Sequence, residues 1–384
     1  MVKKMVNENR AEQLQFLRFL SFFMIFLWHA EAWAFSWFPH ANGSAEAVSF
    51  FFILSGLATG YSSFSKEIDI SWQKIISHII KKLKKLYPLY FVTTIFTISY
   101  SGLAMYIANH DIVNIKAALV QLFKNLFLIQ SWFQQNYFSY NGVGWFLSSI
   151  MYCYFLNVPL LACGTRIRHK KNNLFIFISI FILICGATVL YCWLLRDTNM
   201  EFWEYIFPVA RSGEYVLGIV SGYIVRLLSV KIPDIPKIRR AFTFVEIASL
   251  FVWIFAMYLP FDEWKFRIIH WLFPNLFLLY AFALGKGYIS RIFSMKYFRG
   301  LGNISFECFL IHQIVIFEYQ VNSGINAKIS GWGNIFSICF CLAITILFSY
   351  MAKNFELPVC SDIKKKLLDV TFNRKVNLKV FKYK

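Results

Sequence analysis

An arginine and a histidine lie eleven residues apart inside the first long apolar run of the chain. Arg18 and His29 belong to the run from Leu14 to Phe38, which is long enough to cross a bilayer. On an α-helix this spacing is about three turns, so the side chains point to within about 20° of each other and lie about 16 Å apart along the axis. An arginine within a span costs roughly 2.5–3.5 kcal/mol on insertion and marks a functional site by default. The pair can line one passage at two depths.

The residue types of this pair suit the transfer of an acyl group from a thioester to a hydroxyl. Such a reaction needs a base that accepts the hydroxyl proton and a cation or donor that stabilises developing negative charge. Histidine titrates near neutral pH, which makes His29 the candidate base. Arg18 can hold phosphate or pantetheine oxygens of a donor such as acyl-CoA. Two structural alternatives stay open. His29 can be a packing residue, and Arg18 can extend its side chain to the lipid headgroups.

The composition places the elements that carry this pair in a membrane. Of the 384 residues, 58% are hydrophobic and 15% are charged, and the mean hydropathy is +0.54. These values exclude an ordinary soluble globular domain. The net charge of +19 comes from basic residues between apolar runs, where they set orientation in the bilayer, so no nucleic-acid partner is expected. The eight cysteines show no C-x-x-C spacing, and neither a metal site nor a disulfide framework is expected.

Ten apolar runs predict an all-α, polytopic membrane fold. Lysine and arginine concentrate in the loops that share a side with the N-terminus, which by the positive-inside rule puts both termini in the cytoplasm. We predict a cytoplasmic N-terminus over 1–13, a transmembrane domain over 14–353 and a basic cytoplasmic tail over 354–384 that lies against anionic lipid. The predicted spans are 14–38, 45–64, 86–107, 143–163, 174–195, 208–228, 241–260, 268–285, 300–318 and 333–353.

Two apolar segments need separate interpretation. The first run carries Arg18 and lacks a small-residue cleavage site, so it is interpreted as a retained anchor and not as a signal peptide. The stretch from Ala117 to Phe133 is short and carries Lys124, which favours a re-entrant or interfacial piece over an additional span. A further span there would invert the orientation of every later loop.

Several short motifs resemble one family of membrane enzymes. Leu17-Arg18 is followed after ten residues by His29 and then by F-F-x-L-S-G over 51–56, which resembles the N-terminal signature of acyltransferase family 3. That family comprises integral membrane O-acyltransferases that modify bacterial surface carbohydrates. The resemblance implies a multi-pass enzyme of the bacterial inner membrane with acyl-CoA, first of all acetyl-CoA, as donor substrate, a carbohydrate acceptor and no permanently bound cofactor. The later motifs are Leu86-Tyr87-Pro88, Arg211 and Glu214 ahead of Gly218, Gly302-Asn303-Ile304-Ser305, and Leu310-Ile311-His312.

Two positions depart from the pattern of that family. Family members often carry arginine where this chain has Lys84 and Lys85, so a bidentate phosphate contact becomes a looser point-charge contact. Many members also have a W-S-L-S-x-E motif, whereas this chain reads from Trp145 to Ile150 without the acid. The role of that glutamate does not carry over, and the acid partner of His29 stays open.

The site assignment follows from chemistry and resemblance together. His29 is the predicted general base and Arg18 positions the donor. Glu307 and His312 lie about 140° apart on a helix and so do not form a dyad on one face. Three structural alternatives stay open. Arg211 can pair with Glu214, Ser55 and Gly56 can allow close helix contact, and His312 can cap a helix. The predicted donor-binding residues are Arg18, Lys81, Lys82, Lys84, Lys85 and Tyr87, and the candidate cavity-lining residues are Ser55, Arg211, Glu214, Glu307 and His312.

The main alternative function is a transporter or flippase for an anionic lipid or glycan, because intramembrane arginine, glutamate and histidine also mark translocation routes. The chain shows no paired repeats of the kind that transporters often have, which disfavours this alternative. A non-catalytic membrane scaffold would leave the coincidence of Arg18, His29 and F-F-x-L-S-G without explanation. The sequence leaves several points open. These are the acceptor sugar, the acyl chain length, direct transfer or covalent relay, the side of the membrane on which the acceptor is modified, and the oligomeric state.

Overall fold

The computed structural model describes residues 12–34, 43–258, 267–323 and 335–354. The predicted cytoplasmic N-terminus up to residue 11, and the predicted basic tail from residue 355, lie outside these residues. Within them the fold is all-α as predicted, with helices, short 3₁₀ or π turns and no strand. The helices are α1 (Gln13–Ala34), α2 (Gly43–Ser63), α3 (Trp72–Phe96), α4 (Gly102–Ala108), α5 (Ile112–Leu126), α6 (Gly144–Arg168), α7 (Asn173–Leu195), α8 (Pro208–Lys231), α9 (Pro236–Tyr258), α10 (Arg267–Leu284), α11 (Tyr288–Phe293), α12 (Lys296–Asn303), α13 (Ser305–Ser323) and α14 (Ile335–Asn354).

Length and composition identify several of these helices as candidate membrane spans. Among the described residues, the five helices α6, α7, α8, α9 and α14 are long and apolar enough to cross a bilayer. The count rises to six if α12 and α13, which meet at a 56° bend, form one broken span. The ten-span arrangement and the cytoplasmic placement of both termini stay predictions.

The third predicted span differs from the structure. The sequence predicted a basic loop up to Lys85 followed by a span over 86–107, whereas α3 begins at Trp72 and includes the whole lysine run 81–85. The reason is local, because the side chain of Ser71 accepts a hydrogen bond from Lys74 N at 3.2 Å and caps the helix start. Lysine is also a good helix former, so the basic run continues the helix. The lysines therefore present their charges from a helix and not from a loop.

Four glycines bring α2 and α8 into backbone contact. Gly56 and Gly60 lie one turn apart on α2, and Gly218 and Gly222 lie one turn apart on α8. A Cβ atom at Gly56 would overlap Tyr215 O, and one at Gly218 would overlap Ile53 O. Small residues at this spacing let membrane helices approach closely. The predicted close contact at Gly56 is present, and it brings the backbones of the two helices together.

The N-terminal half of α1 is anchored by the bent pair α12 and α13. Gly302 packs against Gln15 O, where a Cβ atom would overlap the backbone of α1. Arg299 and Glu12 form an ion pair with an N–O distance of 2.6 Å. At the bend, Ser305 Oγ donates to Gly302 O at 2.8 Å. The G-N-I-S motif thus fixes α13 next to α1.

The stretch 117–133 lies largely in α5, a helix of 15 residues that is shorter than a spanning helix. Its polar Gln121 and Asn125 are buried, whereas Val113 and Phe123 are exposed. An apolar face turned outward suits contact with lipid tails. The re-entrant or interfacial placement of this segment stays a prediction.

Candidate active site

A histidine of α1 and a histidine of α13 lie in contact, although the two helices are far apart in the sequence. His29 Nδ1 lies 3.1 Å from His312 Nε2 and 2.9 Å from Ile25 O. His312 is fully buried, whereas His29 is partly exposed. The sequence left open whether His312 faces the same space as His29 or caps a helix. The structure brings the two rings together.

Aromatic rings surround the histidine pair. The centroid of Phe22 lies 5.6 Å from that of His312, and Phe309 lies 6.0 Å away on the other side. Trp28 meets the His29 ring edge-on at 4.9 Å and is itself 45% exposed. The pair therefore has an apolar wall on the His312 side and an open side at His29. His29 is the more exposed member of the pair.

Arg18 lies toward the other end of α1 among charged and phenolic groups. Its Nη1 donates to Gln15 Oε1 at 3.2 Å, and Tyr154 and Glu307 are close enough to interact with its charge. Lys82 also interacts electrostatically with Arg18, and its Nζ lies 4.3 Å from the centre of the Tyr154 ring. The positive charges of Arg18 and Lys82 therefore lie near each other. Tyr154, which the sequence did not single out, lies beside both.

The other predicted donor-binding residues divide into two groups. Lys81, Lys84 and Lys85 are exposed on α3 and add positive charge beside Lys82. Tyr87 instead donates its hydroxyl hydrogen to Leu126 O at 2.8 Å. This bond ties α3 to the end of α5, so the structure gives Tyr87 a structural partner and not a place among the lysines.

A polar network beside the lysines was missed by sequence reasoning. Asn157 Nδ2 donates to His78 Nε2 at 2.7 Å, and Tyr215 OH donates to Asn157 Oδ1 at 2.6 Å. His78 precedes Lys82 by one helical turn on α3, so both lie on one face. That spacing, together with Tyr154 and Asn157 three residues apart on α6, is the signal that could have found the network.

Arg211 and Glu214 pair with each other deep in the bundle. Both side chains are about 2% exposed, and Arg211 Nη1 lies 2.9 and 2.8 Å from the two carboxylate oxygens of Glu214. Ser49 Oγ donates to Glu214 Oε1 at 2.7 Å, and Arg211 stacks over the Tyr205 ring at 4.6 Å. The pair also borders a small pocket together with Cys192, Glu204 and Trp271.

An aromatic layer separates this ion pair from the histidines. The Phe52 ring lies 5.3 Å from the Arg211 guanidinium and 4.8 Å from the Phe146 ring. Phe146 in turn packs against Phe309 at 5.3 Å, and Phe309 contacts His312. The structure therefore does not bring Arg211 and Glu214 together with His29.

The remaining candidate residues also face other neighbours. Glu307 Oε1 lies 3.4 Å from Lys353 Nζ, so Glu307 faces α14 while His312 on the same helix faces α1. The backbone carbonyl of Ser55 accepts a bond from Thr59 Oγ1 at 2.8 Å within α2. Neither residue lies at the histidine pair.

Comparison with known proteins matches the sequence to one family. The sequence matches the acyltransferase domain of that family over residues 12–353, which covers every described helix except the last residue of α14. The chain belongs to acyltransferase family 3. A curated relative, the nose resistant to fluoxetine protein 6 of Caenorhabditis elegans, is 21% identical in an alignment 328 residues long that covers 72% of this chain. The chain spans only 39% of the length of that relative, and no solved structure matches it.

Membership of this family and the apolar helices identify a multi-pass membrane protein and support a membrane acyltransferase. The W-S-L-S-x-E position of other members can now be located. Ser148 Oγ bonds with Ser131 Oγ, Ser149 Oγ donates to Ile206 O at 2.8 Å, and Ile150 is buried. Within the described part of the chain, the hydrogen-bond partners of His29 are Ile25 O and His312, and no carboxylate is among them.

Proposed function

We propose that the protein transfers an acyl group, most simply acetyl, from acyl-CoA to a hydroxyl of a cell-surface or lipid-linked carbohydrate. The observation that carries this proposal is the arrangement along α1. One part of the helix presents His29, an accessible imidazole held by a buried partner at 3.1 Å. Another part presents Arg18 beside Lys82 and Tyr154. A base and an anion-binding site on one helix are the two elements that this reaction needs.

The donor site takes the charged end of acyl-CoA. The exposed lysines of α3 attract its phosphates, and Arg18 and Lys82 lie further in, where the thioester end would arrive. Because CoA carries several negative charges, only the acyl group crosses the apolar region between Arg18 and His29. His78 lies on the same face of α3 as Lys82, and its bond with Asn157 ties this face to α6.

His29 activates the acceptor hydroxyl. As the hydroxyl oxygen forms a bond to the acyl carbon, its proton passes to the imidazole. The bond between the acyl carbon and its leaving group breaks, and the leaving group takes up a proton, which for direct transfer gives free CoA thiol. With a covalent relay, the hydroxyl would attack the relay ester and the same proton transfer would occur.

The cellular setting forms part of the proposal. The positive-inside pattern supports a cytoplasmic location of both termini. The resemblance to acyltransferase family 3 implies the inner membrane of a bacterial cell. Arg18 would then face the cytoplasmic pool of acyl-CoA, and His29 would face an acceptor nearer the outer leaflet. Membrane lipids surround the exposed apolar faces of the helices.

The test is acyl transfer in membranes that contain the protein. Labelled acetyl-CoA and host glycan are supplied, and ester formation is measured for the wild type, Arg18→Ala and His29→Ala at equal expression. His110→Asn is a matched histidine control, because His110 has a φ of 55° in a turn and asparagine tolerates that conformation. Label should reach the glycan in the wild type and the control and fall sharply in the other two. The proposal is wrong if label never reaches glycan, or if both substitutions leave transfer unchanged. Flux of glycan or lipid that continues without any acyl donor would support the transporter alternative.

A further inference from the structure

The hydrogen bonds around His312 determine which of its nitrogens carries the proton. His312 Nδ1 lies 2.8 Å from Phe309 O and 3.2 Å from Cys308 O, and both carbonyl oxygens are acceptors. A neutral imidazole has one N–H donor and one acceptor nitrogen. The proton therefore belongs on Nδ1, which leaves the lone pair of His312 on Nε2. That lone pair faces His29 Nδ1 at 3.1 Å.

The same reasoning fixes the proton of His29. Its Nδ1 faces two acceptors, Ile25 O at 2.9 Å and the lone pair of His312 Nε2. In the opposite arrangement, His312 Nε2 would donate to His29 Nδ1, and three contacts with carbonyl oxygens would become contacts between lone pairs. His29 Nδ1 is therefore the protonated atom. Its Nε2 carries the lone pair, and within the described residues no hydrogen bond engages it.

We propose that His312 is a positioning residue that holds His29 in the Nδ1–H form and so leaves Nε2 as the atom that accepts the proton of the substrate hydroxyl. The inference rests on the proposed function and names the atom that performs its central step. His312 itself touches neither substrate, because it is fully buried behind His29.

This role is the one that a carboxylate plays beside many catalytic histidines. When His29 accepts a proton at Nε2, the resulting cation keeps Nδ1–H directed at Ile25 O and His312 Nε2. Two acceptors then share the positive charge without a buried anion. Many other members of the family carry an acid where this chain has Ile150. In this chain His312 supplies the hydrogen-bond acceptor for His29.

Two substitutions at one position separate the acceptor role from packing. His312→Gln keeps an acceptor oxygen near the place of Nε2 but loses the Nδ1 donor. His312→Asn keeps a donor near the place of Nδ1 but loses the acceptor that faces His29. Both are amides of similar size, so packing alone predicts similar activities. We expect kcat to fall about 100-fold in His312→Asn and less than about 10-fold in His312→Gln, with KM for acetyl-CoA and acceptor nearly unchanged in both.

A double-variant cycle tests whether His312 acts through His29. In a His29→Ala background, His312→Asn should cause no further loss of transfer, because the residue that it positions is absent. Equal activities for the asparagine and glutamine variants would overturn the inference, as would additive losses in the cycle. Activity in the wild type together with loss in His29→Ala would still support the proposed function, so the two failures are distinguishable.

The protonated nitrogen can also be observed without any turnover. The chain has seven histidines, and ¹⁵N-histidine labelling of the full protein in detergent gives ring signals that His29→Ala and His312→Ala assign. Two-bond couplings should identify Nδ1–H for both residues in the wild type. An Nε2–H form of His29 would overturn the inference even if every substitution at 312 failed to fold.

Discussion

Two polar clusters in the described part of the bundle differ in the way their groups are held. Arg211 and Glu214 lie one turn apart on a single helix, bind each other directly and contact Ser49 and aromatic rings beside a small pocket. His29 and His312 come from helices almost three hundred residues apart in sequence, and one ring stays accessible. An opposite-charge pair whose two charges neutralise each other favours a structural role, whereas a neutral pair with an open acceptor atom favours chemistry. We expect substitutions in the first cluster to affect folding and those in the second to affect turnover.

The largest effect on folding is expected at the contact between α2 and α8, next to the Arg211–Glu214 pair. Gly218→Ala places a Cβ atom against Ile53 O and should separate α8 from α2, so that little folded protein is recovered from membranes. Gly186→Ala is the matched control, because a Cβ atom at Gly186 meets nothing within 4 Å and alanine favours a helix. Fluorescence-detected gel filtration measures the folded fraction. Equal yields for the two variants would show that the backbone contact does not hold the helices.

The next largest effect is expected at the ion pair itself. Arg211→Met leaves Glu214 as a buried charge without its partner, which should cost about 3–5 kcal/mol of stability. Arg211→Met combined with Glu214→Met removes both charges and should restore most of that loss. Thermal unfolding in detergent measures the midpoint temperatures, and the double variant should unfold above the single variant. If the single variant unfolds at the wild-type temperature, the pair is not a structural element.

A smaller and purely kinetic effect is expected at Arg18. Arg18→Lys keeps the charge but replaces the planar guanidinium with a point charge, so KM for acetyl-CoA should rise about tenfold with kcat nearly unchanged. Arg196→Lys, at an exposed arginine paired with Asp197, is the control. Initial rates over a range of donor concentrations measure the change. A fall in kcat at constant KM would show that Arg18 acts in the chemical step and not in donor binding.

The smallest effect is expected at the exposed lysines of α3. Lys84→Gln removes one surface charge and should weaken donor binding about twofold at low salt, because exposed charges act through a screened field. The difference from the wild type should disappear near 0.5 M salt. Rates measured at two salt concentrations test this. An effect of Lys84→Gln that persists at high salt would indicate direct contact with the donor.

Much of the fold was predictable from the sequence. Long apolar runs gave the approximate positions of most helices, and charge patterning assigned the lysines to one side. The third helix was misplaced because the run before Leu86 was interpreted as a loop, although Ser71 caps a helix that continues through the lysines. Hydropathy measures whether a segment prefers lipid, and it does not measure where helical hydrogen bonding begins.

The site was predictable only in part. The spacing of Arg18 and His29 follows from helix geometry within one element, and it led to both residues. The contact between His29 and His312 depends on the bend at Ser305 and on how α13 crosses α1, which no local pattern encodes. For the same reason the bond of Tyr87 to Leu126 could not be foreseen.

One comparison tests the central claim most directly. His29→Gln and Glu214→Gln each replace one polar side chain, and both are compared with the wild type for thermal midpoint and for acetyl transfer per folded molecule. We expect His29→Gln to keep the wild-type midpoint and lose transfer by about 1,000-fold or more, and Glu214→Gln to lower the midpoint while each folded molecule keeps most of its activity. The reverse result, with a stable but inactive Glu214→Gln and an active His29→Gln, would contradict the assignment of the chemistry to the histidine pair.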